Sequence, residues 1–492
     1  MDSPVYIWLL VLFLLSLLLF FDLRRPKHFP PGPKWLPFIG NIYLFLRLKK
    51  QLKFNHLVWQ KLSEKFGSIV GLKMGRDLVV GVSGVEAIEE IMIREEFSGR
   101  PDGLFFRMRT FGQRLGLVFS DGPLWQTQRK FVLHHLKSLG LGRKEMELGI
   151  IEETKVFVEF LKNKNGNPMP MQHVFDVAVL NVLWFMTSSE RFSLENEKMR
   201  ELIDLIHKAF NFFDISGGIL NQLPFLRYVA PNLCYYNQHL EMLKKMWSFL
   251  EETIENHQET FCKLYSRDLI DSYLVKMHEN DKTFSNDQLK SLLLDIFMAG
   301  SETTSNTLEF SIFYMLKYPE IQTKVQNELD VVVGRSRWPM YSDKLNLPYT
   351  EAVLMEIQRQ TNVPPLGIAH RAIETTELMG YKIPEGTTIL TNIFSVHMDK
   401  DYWGDPEIFR PERFLKNGKI FNHGKYFLPY GNGKRRCLGE SLAKVNYFLF
   451  FTAILHNFRI ELPPGSKLCE EKNDGVTLSP KPFEAMFVAR TD

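Results

Sequence analysis

Hydrophobic residues dominate the start of the chain, before any regular alternation begins. Residues 5–21 are uncharged and Leu-rich, interrupted only by Ser16, and a run of this length is at the short end of a membrane span. Asp2 precedes the run and three basic residues at 24, 25 and 27 follow it, so the positive-inside rule places the remaining chain in the cytosol. A cleaved signal peptide would instead carry basic residues first and small residues at its exit. We expect residues 1–25 to form an uncleaved membrane anchor.

A proline-rich segment follows the apolar run. Residues 28–33 read His-Phe-Pro-Pro-Gly-Pro, and proline both fixes φ and removes a backbone donor, which predicts a stiff, non-helical spacer. No Gly/Ser tract, charge block or internal repeat divides the chain after residue 45. We therefore assign residues 26–45 to a hinge and residues 46–492 to one catalytic domain.

Beyond the hinge, the pattern is mostly helical. Alternating apolar positions over residues 68–82 predict one β-hairpin. The longest predicted helix begins at Ser285, which forms a capping-box signature with Gln288, and no proline interrupts it before Pro319. Its length would be roughly 50 Å at 1.5 Å per residue. The sequence thus predicts a mainly α fold with small β-sheets, preceded by a transmembrane helix.

One face of this long helix combines small and hydroxyl-bearing residues. Ile296, Gly300, Thr303 and Thr307 share the face at spacings of four, three and four residues. Gly300 would leave space for a diatomic ligand, Thr303 could hold a proton or a water beside it, and Glu302 supplies a titratable relay. The alternative is a threonine that only bonds back to its own helix.

Composition and charge exclude several other classes of protein. The chain of 492 residues is 45% apolar and carries a net charge of +3, with basic and acidic residues interleaved, which argues against a nucleic-acid partner. Its four cysteines are far apart in sequence. Their spacing fits a reducing compartment and argues against a disulfide framework or a zinc site.

The strongest chemical signal is a Gly-rich, basic loop that ends in a cysteine at the start of a helix. Residues 429–440 read Pro-Tyr-Gly-Asn-Gly-Lys-Arg-Arg-Cys-Leu-Gly-Glu. Gly431 and Gly433 would let the backbone lie against a flat ligand, and Gly439 would leave room behind the sulfur of Cys437. Backbone N–H groups of a helix from Leu438 could stabilise a thiolate. A buried free cysteine in a glycine turn is the alternative.

This loop resembles the cysteine-loop signature of the cytochrome P450 haem-thiolate monooxygenases. The match departs at Tyr430, where the family usually has Phe, so the hydroxyl needs a partner. The stretch Ala299-Gly300-Ser301-Glu302-Thr303-Thr304 is similar to the acid–alcohol motif of the same family. The resemblance implies haem b ligated by Cys437, bordered by Gly300 and Tyr430, with Thr303 and Glu302 delivering protons for O₂ cleavage.

Further motifs of that family occur in the expected order. Trp125 and Arg129 match its Trp-x-x-x-Arg pair, and with His370 and Arg435 they would hold the haem. Glu356 and Arg359, with Arg413, match elements that fold the haem pocket. By family position and aromatic clustering, the candidate substrate pocket comprises Phe105, Phe106, Phe111, Phe210, Phe213, Ile296, Val363, Leu366 and Val476. The alternative is a surface loop with local packing for the first three residues, and core packing for Phe210 and Phe213.

The resemblance also implies partners and a location. Electrons would come from NADPH through cytochrome P450 reductase, with a b-type cytochrome as a second donor, at the endoplasmic reticulum membrane. An acidic flavoprotein would suit a basic face behind the thiolate. That face would comprise Arg129, Lys130, Lys434, Arg436 and Lys444.

The implied activity is insertion of one oxygen atom into a lipophilic substrate. Within the family-2 group of animal members, some features resemble arthropod enzymes that epoxidise juvenile-hormone-type sesquiterpenoids such as methyl farnesoate. The alternative is a broad xenobiotic, fatty-acid or steroid hydroxylase. An isomerase of the same fold would lack the Thr303 hydroxyl, and a non-catalytic haem sensor would not need Gly300, Glu302 and Thr303 together.

Overall fold

The structure is a computed structural model that describes residues 3–212, 218–279 and 281–490. Helices make up most of it, as the sequence predicts. The α-helices within these residues are α1 (Ser3–Leu23), α2 (Ile42–Leu52), α3 (Asn55–Phe66), α4 (Val85–Ile93), α5 (Leu104–Met108), α6 (Gly122–Ser138), α7 (Lys144–Lys162), α8 (Asp176–Ser188), α9 (Glu197–Phe212), α10 (Gly218–Gln222), α11 (Leu226–Val229), α12 (Tyr236–Glu259), α13 (Leu269–His278), α14 (Asn286–Lys317), α15 (Pro319–Val332), α16 (Pro348–Thr361), α17 (Ile393–His397), α18 (Lys400–Trp403) and α19 (Glu440–Asn457).

The β-structure is confined to small sheets. The predicted hairpin is confirmed as β1 and β2, antiparallel with Ile69 opposite Val82, and it extends into a four-stranded sheet of order β1-β2-β7-β4. A second sheet has the order β10-β13-β3, and the described residues form three further two-stranded pairs. The strands are β1 (Ile69–Met74), β2 (Asp77–Val82), β3 (Met169–Pro170), β4 (His370–Arg371), β5 (Thr376–Leu378), β6 (Tyr381–Ile383), β7 (Thr388–Thr391), β8 (Leu415–Lys416), β9 (Lys419–Ile420), β10 (Phe458–Glu461), β11 (Lys472–Asn473), β12 (Ser479–Pro480) and β13 (Glu484–Ala489).

Helix α1 carries the apolar run. Its stretch Tyr6–Leu23 has a mean hydropathy of 2.5 and no buried residue, so it is long and apolar enough to cross a membrane. The segment after it packs onto the β1 strand. Arg25 donates to the carbonyl oxygens of Pro30 (2.8 Å) and Gly71 (2.9 Å), and Asp22 pairs with Lys73. The proline-rich segment is therefore held against the sheet, and α2 already begins at Ile42, inside the predicted hinge.

Helix α14 runs through the centre of the molecule. Its 32 residues correspond to a length of about 48 Å. The Ser285 hydroxyl accepts the N–H of Gln288 at 3.2 Å, as the capping signature predicts, whereas the Gln288 side chain bonds Gly116. Helices α8, α12, α16 and α19 pack around α14. This arrangement buries α14 along most of its length and fixes which of its faces can border a ligand.

Candidate functional site

One internal cavity of about 430 Å³ lies between α14 and the loop that precedes α19, and its size is in the range of small-molecule sites. Cys437, Gly300 and Thr303 all border this cavity. So do the predicted haem contacts Trp125, Arg129, His370, Tyr430 and Arg435. Residues from distant parts of the sequence thus share one site.

The shape of the cysteine loop is set by two glycines with different roles. Gly431 has φ +68° and borders the cavity, with open space where a Cβ would point. Gly433 has φ +67°, and a Cβ there would lie 1.9 Å from the carbonyl oxygen of Met92. The predicted close approach to a flat ligand therefore applies to Gly431, whereas Gly433 allows the loop to pack against α4.

The sulfur of Cys437 faces the cavity, so its side chain is accessible to a ligand although protein surrounds it. Burial raises the pKa of this thiol, and the Gly439 N–H and the guanidinium groups of Arg129 and Arg436 act in the opposite direction. Helix α19 begins at Glu440, two residues later than predicted. A soft metal ion would complete the stabilisation of the thiolate.

A group of guanidinium cations borders the same cavity. Arg435 donates to the carbonyl oxygens of Ser98 and Ser120, and Arg129 donates to that of Arg436. Arg100, which sequence reasoning missed, also has only carbonyl acceptors. Within the described part of the chain, none of the three has a carboxylate at ion-pair distance.

The electrostatics of this group indicate an anionic ligand. Burial lowers the pKa of Arg435 to about 8, and neighbouring guanidinium groups add to the effect; burial lowers that of Arg100 to about 9. Buried cations without anions are costly. Burial lowers the pKa of His370 to about 3, so its ring is neutral. Its Nδ1–H donates to the Phe97 carbonyl oxygen at 2.8 Å. The Trp125 ring lies 3.7 Å from the Arg435 guanidinium carbon.

These residues fit an iron porphyrin with two carboxylates. The thiol supplies a metal ligand of the required softness. Arg100, Arg129 and Arg435 supply the positive charge that two propionates would balance. Gly431 leaves the backbone bare on the cavity side.

Tyr430, the departure from the family signature, has the partner that its hydroxyl needs. Its oxygen accepts a hydrogen bond from the Gln358 side chain at 2.9 Å. Gln358 lies on α16, 72 residues away in sequence, so no local pattern could have revealed it.

Gly300 on the cavity face of α14 also packs against a neighbouring helix. Gly300 borders the cavity, but a Cβ there would lie 2.2 Å from Cδ2 of Leu183 on α8. A side chain at residue 300 would therefore displace the end of Leu183, and the role of Gly300 in leaving space for a diatomic ligand stays a prediction. Thr303 also borders the cavity, and its hydroxyl donates to the Ala299 carbonyl at 3.0 Å. The lone pairs of this oxygen remain free to accept a hydrogen bond.

Glu302 lies outside the cavity lining, on another face of α14. Its carboxylate accepts hydrogen bonds from Asn306 (3.0 Å) and Thr477 (2.9 Å) and contacts His207 of α9. A proton delivered from Glu302 to the cavity would require rotation of its side chain. Its predicted role in proton delivery therefore remains a prediction.

The predicted pocket residues divide into two groups. Phe105, Phe210, Ile296, Val363 and Val476 border the cavity. Three others do not, because each packs into a separate apolar cluster. Phe106 contacts Phe105 and Phe119 (ring centroids 5.1 and 4.9 Å), Phe111 packs on Trp247 (4.6 Å), and Leu366 lies in the core beside the hairpin. Phe213 lies outside the described residues.

The cavity also contains polar residues that sequence reasoning missed. Arg109 pairs with Asp295 of α14, and both are buried. Asp295 also accepts the backbone N–H of Val118 at 2.8 Å, which fixes the loop above α14. The pair is separated by 186 residues in sequence, and no local spacing signals it.

The expected basic face is partly neutralised. Arg436 and Lys444 both pair with Glu440, and Lys434 pairs with Glu95 at 2.7 Å. The positive charge on this side of the cysteine loop is therefore smaller than the residue count indicates.

Comparison with known proteins identifies the family. The sequence model of the cytochrome P450 family matches residues 30–487. The chain is 39% identical to farnesoate epoxidase of Bombyx mori over 489 residues, covering 98% of this chain and 99% of that protein. It is 37% identical to probable cytochrome P450 305a1 of Drosophila melanogaster (95% of each). It is 36% identical to human cytochrome P450 2J2 (94% of this chain, 91% of that protein).

The matched residues include the cysteine loop and α14, which border the cavity. The chain therefore belongs to the cytochrome P450 family, as a monooxygenase with thiolate-ligated haem that receives electrons from NADPH through a reductase.

Proposed function

We propose that this monooxygenase epoxidises a sesquiterpenoid such as methyl farnesoate, a step of juvenile hormone biosynthesis. The observation that carries the proposal is the similarity to Bombyx mori farnesoate epoxidase over almost the whole of both chains. The lining supports it, since Phe105, Phe210, Ile296, Val363 and Val476 present apolar surface suited to an isoprenoid chain.

The residues around the cavity would have distinct roles. Cys437 would bind the haem iron, and Arg129, Arg435, His370 and Trp125 would hold the propionates. The haem, once bound, supplies activation of O₂. Thr303 would hold a proton at its hydroxyl beside the bound substrate, and Glu302 would resupply it. The apolar side chains would orient the substrate and exclude water.

The remaining assignments concern location and partners. Helix α1 would anchor the protein in the endoplasmic reticulum membrane, with the catalytic domain in the cytosol and access to membrane lipid. The surface around Lys130, Lys434, Arg436 and Lys444 would receive the reductase, or a b-type cytochrome.

Product analysis tests the substrate. We expect the full chain, reconstituted with reductase and NADPH, to convert methyl farnesoate to an epoxide with a kcat/KM at least about tenfold above that for lauric acid or a steroid. The tenfold threshold corresponds to about 1.4 kcal/mol of transition-state discrimination. Omission of the reductase is the control for electron supply.

A broad-specificity xenobiotic, fatty-acid or steroid hydroxylase is the second candidate. The observation that favours it is the nearly equal identity, 36%, to mammalian relatives such as cytochrome P450 2J2. Equal turnover of unrelated lipophilic compounds, without preferential epoxide formation, would favour this candidate over the epoxidase.

A further inference from the structure

A cluster of titratable side chains lies behind Glu302, on the far side from the cavity. His207 of α9 lies between two carboxylates: Nε2 is 2.7 Å from Oδ2 of Asp176 on α8, and Nδ1 contacts Oε2 of Glu302 on α14. Nδ1 of His173 lies 3.3 Å from the same Asp176 oxygen. The four side chains therefore form a continuous chain of contacts that ends at Glu302.

The two ends of this chain differ in exposure. Asp176, His207 and Glu302 are buried, whereas the His173 side chain is 34% exposed. The rings of His173 and His207 also lie 3.8 Å apart. The chain thus connects a solvent-accessible imidazole with a buried carboxylate of the central helix.

The charges in the cluster favour a proton on His207. Burial lowers the pKa of this imidazole, but Asp176 and Glu302 outweigh burial and raise it to about 10. Glu309 also faces the cluster, and its carboxylate accepts the backbone N–H of His173 at 2.6 Å. Burial and the neighbouring Asp176 raise the pKa of Glu309 well above its usual value.

We propose that His173, Asp176 and His207 conduct protons from solvent to Glu302. The inference rests on the proposed role of Glu302 in proton delivery, and it assigns the route by which that carboxyl group is recharged. His173, Asp176 and His207 are positioning and conducting residues that lie outside the substrate cavity.

The route moves one proton and no electrons. His207, doubly protonated at rest, passes the proton on Nδ1 to Oε2 of Glu302 and keeps the proton on Nε2. When the ring turns so that the bare Nδ1 faces Asp176, Nδ1 takes a proton from Oδ2 of Asp176, which restores the doubly protonated ring. Asp176 takes that proton from Nδ1 of His173, and His173 takes one from water. The contacts of His173 with Asp176 and of His207 with Glu302 lack hydrogen-bond alignment, so a side-chain rotation accompanies each of these transfers.

The geometry favours proton sharing over metal binding. His173, Asp176 and His207 are donor types that a metal ion accepts. However, two ligands of a tetrahedral zinc ion, each about 2.0–2.1 Å from the metal, are roughly 3.3 Å apart. The separation of 2.7 Å between His207 and Asp176 is that of a hydrogen bond.

The kinetic test compares three variants of the full-length haem protein with reductase and NADPH. We expect His173→Gln to lower product formed per NADPH about two- to fivefold and to increase hydrogen peroxide release, with a larger loss at pH 8.5 than at pH 6.5, because proton supply then depends on the solution. Glu302→Gln should lower the ratio at both pH values. His278→Gln, at an exposed histidine of α13, should match the unaltered protein.

The outcomes separate this inference from the proposed function. If Glu302→Gln lowers product formed per NADPH but His173→Gln matches the control, the route is wrong and the role of Glu302 stands. If Glu302→Gln forms as much product per NADPH as the unaltered protein, both the route and the role of Glu302 in proton delivery are wrong. Failure to oxidise methyl farnesoate does not affect the comparison, because any oxidised substrate reports the ratio.

A second measurement does not depend on turnover. In the resting full chain labelled with [¹⁵N]histidine, we expect the His207 ring to remain doubly protonated from pH 6.5 to 8.5, and to lose that proton within this range in Asp176→Asn. A neutral His207 ring at pH 6.5 would overturn the inference. So would stoichiometric Zn²⁺ binding that displaces the His207 proton, which would indicate a metal site.

Discussion

At Gly300, helix α14 packs directly against Leu183 of α8 while its backbone borders the substrate cavity. A methyl group at this position would meet Cδ2 of Leu183 at 2.2 Å. Leu183 itself borders the cavity, so its flexible end can rotate into that space. The identity of residue 300 therefore affects the cavity through a neighbouring side chain.

We expect Gly300→Ala to weaken binding of the largest substrates more than it weakens the fold. Rotation of Leu183 should reduce the space for ligand, and the overpacking should cost at most about 1–3 kcal/mol. Substrate-induced haem absorbance changes measure the dissociation constant, and chemical denaturation measures the free energy of unfolding. Gly300→Ala combined with Leu183→Ala should restore binding. Unchanged binding in the single variant would contradict this account.

At the same scale, the role of a residue could be predicted where its neighbours in sequence carry the signal, and not where its contacts are distant in sequence. Cys437 and its loop glycines carry their signal in consecutive residues. Arg100 does not: its place beside Arg435 follows from the bridge that pairs Gly99 with Arg371. The prediction of Phe111 and Leu366 as pocket residues fails for the same reason, because their contacts are also remote in sequence. Aromatic or apolar character does not show whether a side chain enters the cavity or a neighbouring apolar cluster.

At the scale of elements, a buried ion-pair network joins α16 to the segment before the cysteine loop. Arg359, fully buried, donates to Glu356 at 2.7 and 2.9 Å and to the carbonyl oxygens of His397 and Pro406. Arg413 donates to the same Glu356 carboxylate at 3.0 Å. The sequence predicted this network from spacing and motif, because two of its members lie on one helix.

We expect Arg359→Leu to lower the free energy of unfolding by about 3–5 kcal/mol, because a buried carboxylate and two carbonyl groups lose their donor. Tryptophan fluorescence during urea denaturation measures the change. Arg459→Leu is the matched control, since Arg459 is exposed and pairs only at the surface with Glu461, and it should cost no more than about 1 kcal/mol. Equal losses in the two variants would show that burial of the network does not matter.

Helix α14 shows what the pattern of an element can and cannot provide. Its start at Ser285, its length and its polar cavity face were predicted from capping, the absence of proline and helical spacing. The sequence did not predict the surroundings of Glu302, because they come from the distant helices α8 and α9. Helix periodicity assigns residues to faces, but only tertiary packing decides which face borders the ligand.

At the scale of the whole molecule, the junction between α1 and the rest of the chain is packed. Asp22 pairs with Lys73, whose side chain is nearly buried, and Arg25 bonds Pro30, Gly32 and Gly71. The residues just after the apolar run therefore belong structurally to the β1–β2 sheet.

Two truncations test this boundary. We expect deletion of residues 1–21 to release the protein from vesicles without a loss of stability, because α1 has no buried residue in its apolar stretch. Deletion of residues 1–26 should lower the free energy of unfolding by about 1–3 kcal/mol, because Lys73 and the Gly71 carbonyl lose their partners. Vesicle flotation and urea denaturation measure the two effects. Equal stability of both truncations would contradict a packed junction.

The pairing of Glu440 with Arg436 and Lys444 has a consequence for selection among protein partners. A protein with a few scattered acidic residues meets cations that are already paired with Glu440, so its electrostatic attraction to this surface is weak. A cognate electron donor, with several carboxylates in matching positions, can compete for both cations at once. At the proposed docking surface, this pairing would therefore favour the cognate electron donor over other proteins.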